Sequence, residues 1–268
     1  MPLRPVSPLD PLDLAALPTA PPEGTPRGEE LEHATAALLG RLEALQAALF
    51  ADGRRALLIV LQARDTGGKD GTIRTVFGAF SPQGVRVTSF GRPTEAELAH
   101  DFLWRVHHEA PPRGMVGVFN RSHYEDVLAV RVRELAPESV WRLRYQQIND
   151  FERLLNESGT TVVKLFLNIS RDEQAERLRA RLDDPIKNWK FEEGDIDDRA
   201  RWDSYTAAYE EALTRCSTAW APWYVVPADK KKARNYLVAQ VVVDVLERMN
   251  PQYPRADERV LGLISQIV

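Results

Sequence analysis

One cysteine, Cys216, is present in 268 residues. A lone thiol excludes an internal disulfide and any cysteine-built zinc cluster. It falls in an amphipathic stretch, so we read it as a buried structural thiol. Metal-ligand spacing is also missing. His33, His100, His107, His108 and His123 form no H-E-x-x-H pattern, and the adjacent His107 and His108 would point apart on a helix. No apolar run approaches the roughly 20 residues that span a bilayer, and no charged-then-apolar signal pattern opens the sequence. The expectation is a cytoplasmic protein with no membrane partner. An excess of positive charge is lacking too: 35 basic against 39 acidic side chains leave a net charge of −4. No global basic field marks a nucleic-acid binder, although local arginine clusters can still hold phosphates. With 44% hydrophobic and 28% charged residues, neither disorder nor a membrane protein is indicated, and the length suits one large α/β domain.

The stretch around which the chain is organised is 57–72, Leu-Leu-Ile-Val-Leu-Gln-Ala-Arg-Asp-Thr-Gly-Gly-Lys-Asp-Gly-Thr. An unbroken apolar run over 56–61 reads as a strand buried on both faces of a parallel sheet. Gly67, Gly68 and Gly71 let the backbone turn its N–H groups inward, Lys69 adds a point charge, and a helix starting there offers the positive end of its dipole. The loop departs from the P-loop pattern G-x-x-x-x-G-K-[ST] at two places: Ala63 replaces the first glycine and Asp70 the Ser or Thr. A plain strand-to-helix turn is the competing reading.

In chain order, residues 1–28 carry eight of the eighteen prolines and read as an extended arm or a disordered tail. A helix follows over 29–50, then the strand and loop, then a helix over 69–80. The second strand covers 85–90. Thr94 to Glu97 is a capping box for a helix reaching 108. The third strand covers 115–119, a helix 121–133, and a longer helix carries Trp141, Tyr145, Ile148, Phe151 and Leu155 on its buried side. The fourth strand covers 160–169. Ser170 caps the next helix, a charged segment occupies 186–198, and a helix with Trp202, Tyr205, Tyr209 and Leu213 in the core precedes the fifth strand at 223–226. A helix over 229–249 closes the fold. Five strands alternating with helices predict a doubly wound five-stranded parallel sheet. The helical insertion at about 170–198 stands where phosphate-transfer kinases carry a lid.

Three constellations can do chemistry. Asn120, Arg121 and Glu125 follow the third strand and should project near the glycine loop, where an arginine can grip phosphate bidentately and Glu125 or Asp126 can touch a metal; a simple i,i+4 surface pair is the alternative for Arg121 and Glu125. Asp65, inside the loop, is the leading metal or catalytic candidate, against a turn residue bonding its own backbone. Arg177 and Arg181 share a helix face that suits closing over transferring phosphates, against a solvated face; Trp189 speaks against pure solvation. Lys230, Lys231, Lys232 and Arg234, at a helix start, would line an anion channel or form a solvated face, the commoner outcome.

The segments Arg64-Asp65-Thr66-Gly67-Gly68-Lys69-Asp70-Gly71-Thr72, Asn120-Arg121-Ser122-His123-Tyr124-Glu125-Asp126-Val127, 174–190 and Ala221-Pro222-Trp223 closely resemble the motifs of the polyphosphate kinase 2 family, in order and over about 29–249. The resemblance implies a thymidylate-kinase-like P-loop fold over 29–268 and reversible phosphoryl transfer between inorganic polyphosphate and AMP, ADP or ATP, with guanine nucleotides as further candidate acceptors. It places the family's loop lysine on Lys69, its loop aspartate on Asp65, its second-motif arginine on Arg121 and its lid arginines on Arg177 and Arg181. Arg64, Thr66, Gly67, Gly68, Asp70, Gly71, Thr72, Asn120, Glu125 and Lys190 fall on phosphate- or nucleotide-binding motif positions. A magnesium ion would be held by Asp65, which bears more of that role because Asn120 stands where many members carry aspartate. The second motif looks most like the subgroup acting on both mono- and diphosphates, and a homo-oligomer, dimer or tetramer, is expected. An ATP-dependent nucleoside monophosphate kinase and a nucleotide-gated regulatory protein are the other functions the motifs allow.

Overall fold

A computed structural model describes residues 3–8 and 11–267; residues 1, 2, 9 and 10 of the Pro-rich segment and residue 268 lie outside the described residues. In chain order the elements are α1 (Gly28–Asp52), β1 (Ala56–Ala63), α2 (Lys69–Val76), β2 (Val85–Ser89), α3 (Glu95–Leu98), α4 (Trp104–His108), β3 (Val116–Asn120), α5 (Ala129–Val132), α6 (Glu138–Glu157), β4 (Thr160–Asn168), α7 (Arg171–Asp183), α8 (Glu193–Ala200), α9 (Trp202–Arg215), β5 (Trp223–Pro227), α10 (Lys231–Met249) and α11 (Glu258–Leu261).

The five strands form one sheet in the order β2-β3-β1-β4-β5, parallel throughout. β1 is buried along its full length because both faces are covered. Leu57, Ile59 and Leu61 point into a cluster with Leu42, Leu45 and Leu49 of α1 and the valines of α10. Leu58 and Val60 point the other way, into a cluster with Trp141, Tyr145 and Ile148 of α6 and Tyr205 and Tyr209 of α9. That two-sided burial, with period-2 side-chain alternation, is why the strand reads as an unbroken apolar run. α1 is long and apolar enough by composition to cross a bilayer; here it lays its leucines on α10 as one of the two covering layers.

With β1 central and flanked by β3 on one side and β4 on the other, the chain reverses its direction of winding at the carboxyl end of β1. Ligands bind at such a point in open α/β sheets. The register brings the strand ends together: Leu61 pairs with Asn120, and Ala63 pairs with Leu167.

The N-terminal segment covers the β5 edge. Pro5 forms an antiparallel bridge with Tyr224, Val6 N donates to Trp223 O at 2.8 Å, and Leu14 is buried in the α6–α9 cluster. Proline on an edge strand costs no ladder bond on its outer side and blocks further strand addition.

Two segments differ from the sequence expectation, and a third gains detail. The helix expected to run to 108 is interrupted between α3 and α4, where Asp101 Oδ1 accepts from Leu103 N at 3.0 Å and diverts the backbone. The helix expected over 121–133 is a tight 3₁₀ turn at His123–Asp126 followed by the short α5. The charged segment 186–198 contains helix: a 3₁₀ turn at Asn188–Lys190 and then α8, whose start is marked by Glu192 N donating to Asp195 Oδ2 at 3.4 Å. Trp141 and Tyr145 are buried in the chain's own core, on the side of their helix that the sequence pattern indicates.

Candidate active site

The loop between β1 and α2 turns on two glycines. A Cβ on Gly67 would come within 2.6 Å of Ala63 Cβ and 2.8 Å of Arg64 O. Gly68 sits at φ +105, where a side chain is strained. Ala63, in place of the first P-loop glycine, packs against Gly67, so the close approach is retained with the partners exchanged. The first amides of α2, from Lys69 onward, have no carbonyl a turn earlier and face the loop mouth with the helix dipole behind them. Lys69 is buried, donates from Nζ to Ala63 O at 3.0 Å, and has its pKa pushed down to about 8 by burial, with the charge of Arg121 adding to the effect.

Across the mouth stands the turn after β3. Arg121 N donates to Leu61 O at 3.1 Å, and its backbone is left-handed, φ +62. Thr66 in the loop is left-handed as well, φ +58. Non-glycine residues in that region cost about 1–3 kcal/mol each and cluster at functional sites. Arg121 Nη2 donates to Asp65 Oδ1 at 2.6 Å, and Nη1 lies 3.8 Å from Glu125 Oε2. Glu125 foremost, against burial, and Asp65 raise the pKa of the guanidinium. Beside them runs a cleft walled by Gln174, Asp198, Trp202, Tyr205 and Tyr209.

The outer rim belongs to Asp70. Its carboxylate accepts from Asn120 Nδ2 at 3.0 Å and from Lys190 Nζ, on the α7–α8 connection, at 3.1 Å. Burial opposes ionisation of Asp70, but these two hydrogen bonds and the charges of Lys190 and Lys69 together hold its pKa below the usual value. Arg181 reaches Asp195 Oδ2 at 3.2 Å. Trp189, expected above to resist solvation, is 74% exposed in the connection between α7 and α8, the α7–α8 hairpin.

Several expected phosphate contacts lie elsewhere. Arg177 does not stand open beside Arg181. It is buried, donating to the carbonyls of Thr66 (3.1 Å), Gly67 (3.3 Å), Ala228 (2.7 Å) and Asp229 (3.0 Å), and to Glu173 Oε1 (2.8 Å). Arg64 turns away from the loop, stacking 3.8 Å over the Trp202 ring and donating to Thr206 Oγ1 at 2.6 Å; burial pushes its pKa down to about 10. Thr72 is buried, facing Asn235 of α10. Gly71 is where α2 comes close to Arg234 Nη2.

Arg234 was grouped with the solvated lysines in the sequence. Lys230, Lys231 and Lys232 are exposed, and Lys232 pairs with Glu32 at 2.6 Å. Arg234, one helical step inward, is buried, and a Cβ on Gly68 would lie 1.8 Å from its Nη1. Burial, then the neighbouring Arg177, pushes its pKa down to about 10. Two guanidiniums thus back the loop. The signal that could have found Arg234 is its position three and four residues before the apolar positions Leu237 and Val238 of the α10 core stripe.

Among the described residues no group of three His, Cys, Asp or Glu side chains converges on a metal site. A magnesium ion does not need one, since it keeps waters and uses one or two carboxylates plus substrate phosphates. Asp65, at the loop mouth with Arg121 bonded to its Oδ1, fits that mode.

The model of the family described as Polyphosphate kinase 2 (PPK2) matches residues 27–254. An AMP/ADP-polyphosphate phosphotransferase of Meiothermus ruber is 56% identical over 224 residues, 84% of each chain. An ADP-polyphosphate phosphotransferase of Rhodopseudomonas palustris is 46% identical over 226 residues, 80% of this chain and 78% of that one. The crystal structure of polyphosphate kinase 2 from Arthrobacter aurescens superposes with a TM-score of 0.88 at 45% identity, covering 98% of this chain and 99% of that one. With a parallel sheet, a glycine loop carrying a buried lysine, and this likeness over nearly its whole length, the chain belongs to the polyphosphate kinase 2 family.

Proposed function

We propose that the protein transfers the terminal phosphoryl group of inorganic polyphosphate to AMP and ADP, reversibly. Its main support is the Asp65–Arg121 pair facing a glycine loop with a buried lysine, on a chain 56% identical to an AMP/ADP-polyphosphate phosphotransferase. A phosphate oxygen of the nucleotide attacks the terminal phosphorus of polyphosphate in line. The last phosphoanhydride bond breaks, and the shortened polyphosphate leaves with the bonding electron pair. The attacking oxygen is already ionised near neutral pH, so no strong general base is required.

The catalytic roles follow from placement. Lys69 and the first amides of α2 hold the phosphates at the loop, Arg121 swings from Asp65 onto the transferring group, and Arg181 arrives with the α7–α8 hairpin acting as a lid. Arg177 is assigned a positioning role, since its donors are used on the carbonyls of the loop and of the β5–α10 turn. Asp65 would hold magnesium once Arg121 has moved to phosphate, and the ion when bound supplies further screening of the phosphate charge. Guanine nucleotides are the next acceptors to assay.

Incubation with AMP or ADP, magnesium and polyphosphate, without ATP, tests the donor. ATP formation in proportion to added polyphosphate is expected. No product under these conditions, together with reaction of ATP plus AMP, would replace this reading with an ATP-dependent monophosphate kinase.

A further inference from the structure

Behind the second motif lies a fully buried group of ionisable side chains. Glu152 of α6 and Lys164 of β4 have no solvent exposure. Lys164 Nζ donates to Glu152 Oε2 at 2.5 Å, to Tyr124 Oη at 2.8 Å and to Cys216 O at 2.6 Å, so all three of its protons are used. Glu152 Oε1 accepts from Tyr124 Oη at 2.9 Å and meets His123 Nε2 at 3.2 Å. His123 Nδ1 has no partner, and burial holds the ring's pKa below its ordinary value, which fits a neutral ring donating from Nε2. A buried ion pair of this kind is often neutral or costly relative to an apolar pair of similar volume. Stability is therefore a poor reason for it.

Its connections suggest another reason. His123 and Tyr124 are the residues directly after Arg121-Ser122. Tyr124 N donates to Ser122 Oγ at 3.2 Å. Gln62, the penultimate residue of β1, accepts from Ser122 Oγ at 3.1 Å and donates to Glu125 Oε1 at 3.1 Å when its amide is turned to satisfy both. The chain of bonds thus runs from the buried pair, through Tyr124 and Ser122, to the left-handed turn that aims Arg121 and to the carboxylate of Glu125. We propose that Glu152 and Lys164 are positioning residues for phosphoryl transfer: they pin His123 and Tyr124, and through them fix the turn from which Arg121 reaches the loop mouth. This rests on the function proposed above and deepens it.

The test uses the full chain with ADP, magnesium and polyphosphate. Glu152→Leu combined with Lys164→Met exchanges the pair for apolar side chains of similar size. The expected result is a folded protein with a lowered Tm, since Tyr124 Oη, His123 Nε2 and Cys216 O lose partners, KM values within about threefold, and kcat lowered at least tenfold, because an interaction made in the transition state has been loosened. Introduced into an Arg121→Lys background, the same pair of changes should lower kcat by less than about threefold, since the residue it acts through is already altered. An unchanged kcat, or an equal fold loss in both backgrounds, overturns the positioning role. Should the double variant not fold, Tyr124→Phe removes a single hydroxyl and carries the same comparison, with at least a threefold loss of kcat expected in the parent and none in the Arg121→Lys background; equal losses again overturn it. A parent protein that forms no ATP from ADP and polyphosphate removes the proposed function itself, and the positioning role with it.

Discussion

Arg177 and Arg181 stand four residues apart on α7, yet the structure uses them differently. The first has its guanidinium among four carbonyls beneath the glycine loop, while the second faces Asp195 and the backbone of Lys190 in the partly exposed hairpin. The same contrast separates the regions to which they belong. The loop is fixed by buried, charge-assisted bonds and by close backbone approach, so its amides are aimed before any phosphate arrives. The hairpin is tied to the loop rim through Lys190 and Asp70, whose side chains are 40% and 65% exposed, a kind of contact worth about 0–1 kcal/mol. On the function proposed above, a prebuilt cradle with the hairpin as its cover suits the reaction: preorganised charge where transfer occurs, and a cover that admits and releases long anions.

Substitutions that separate the two arginines sharpen the comparison most. Arg177→Met leaves buried carbonyls and Glu173 without their partner and should lower stability by about 3–5 kcal/mol, seen as a fall in Tm together with loss of activity. Arg181→Met should leave Tm within a few degrees while kcat falls by about 10²-fold, the size expected for one lost transition-state donor. Equal effects on Tm from both would erase the distinction.

The buried lysine predicts a pH effect of intermediate size. Lys69 has a folded pKa of about 8, below the unfolded value of about 10.4. Between those values the unfolded chain binds the extra proton, so this group makes stability rise with pH. Phosphate affinity has the opposite sign. Above about pH 8 the free enzyme loses the lysine charge, and kcat/KM for polyphosphate should fall by up to about tenfold per pH unit. Lys69→Arg should move that decline to higher pH; a decline that stays in place would assign it to another group.

The smallest effect belongs to the hairpin contact. Lys190→Met should change unfolding free energy by less than about 1 kcal/mol and alter KM by a few fold. A large loss of stability would mean that the cover is held as firmly as the cradle.

The sheet was legible in the sequence because β1, β3 and β4 are covered on both faces, which writes short apolar runs into the chain, broken in β4 only by the buried Lys164. Asp65, Lys69 and Arg121 were legible because each follows the carboxyl end of a strand that could be located. The buried settings of Arg177 and Arg234 were not. Both are charged residues buried by contacts more than a hundred residues away in sequence, and local pattern reads an Arg on a helix as solvated. The turn at 121–126 was misjudged for a related reason: the left-handed Arg121 bonds Leu61 of β1, and His123 and Tyr124 of the same turn bond the buried Glu152 and Lys164, which helix periodicity does not record.

The most direct measurement follows phosphorus from ADP plus polyphosphate by ³¹P NMR, in the absence of added ATP, with Lys69→Met as the paired control. The account predicts that ATP appears in step with loss of polyphosphate phosphoanhydride groups, and that turnover falls about 10³-fold in the variant. Equal amounts of ATP and AMP arising from ADP, with polyphosphate unconsumed, would contradict it.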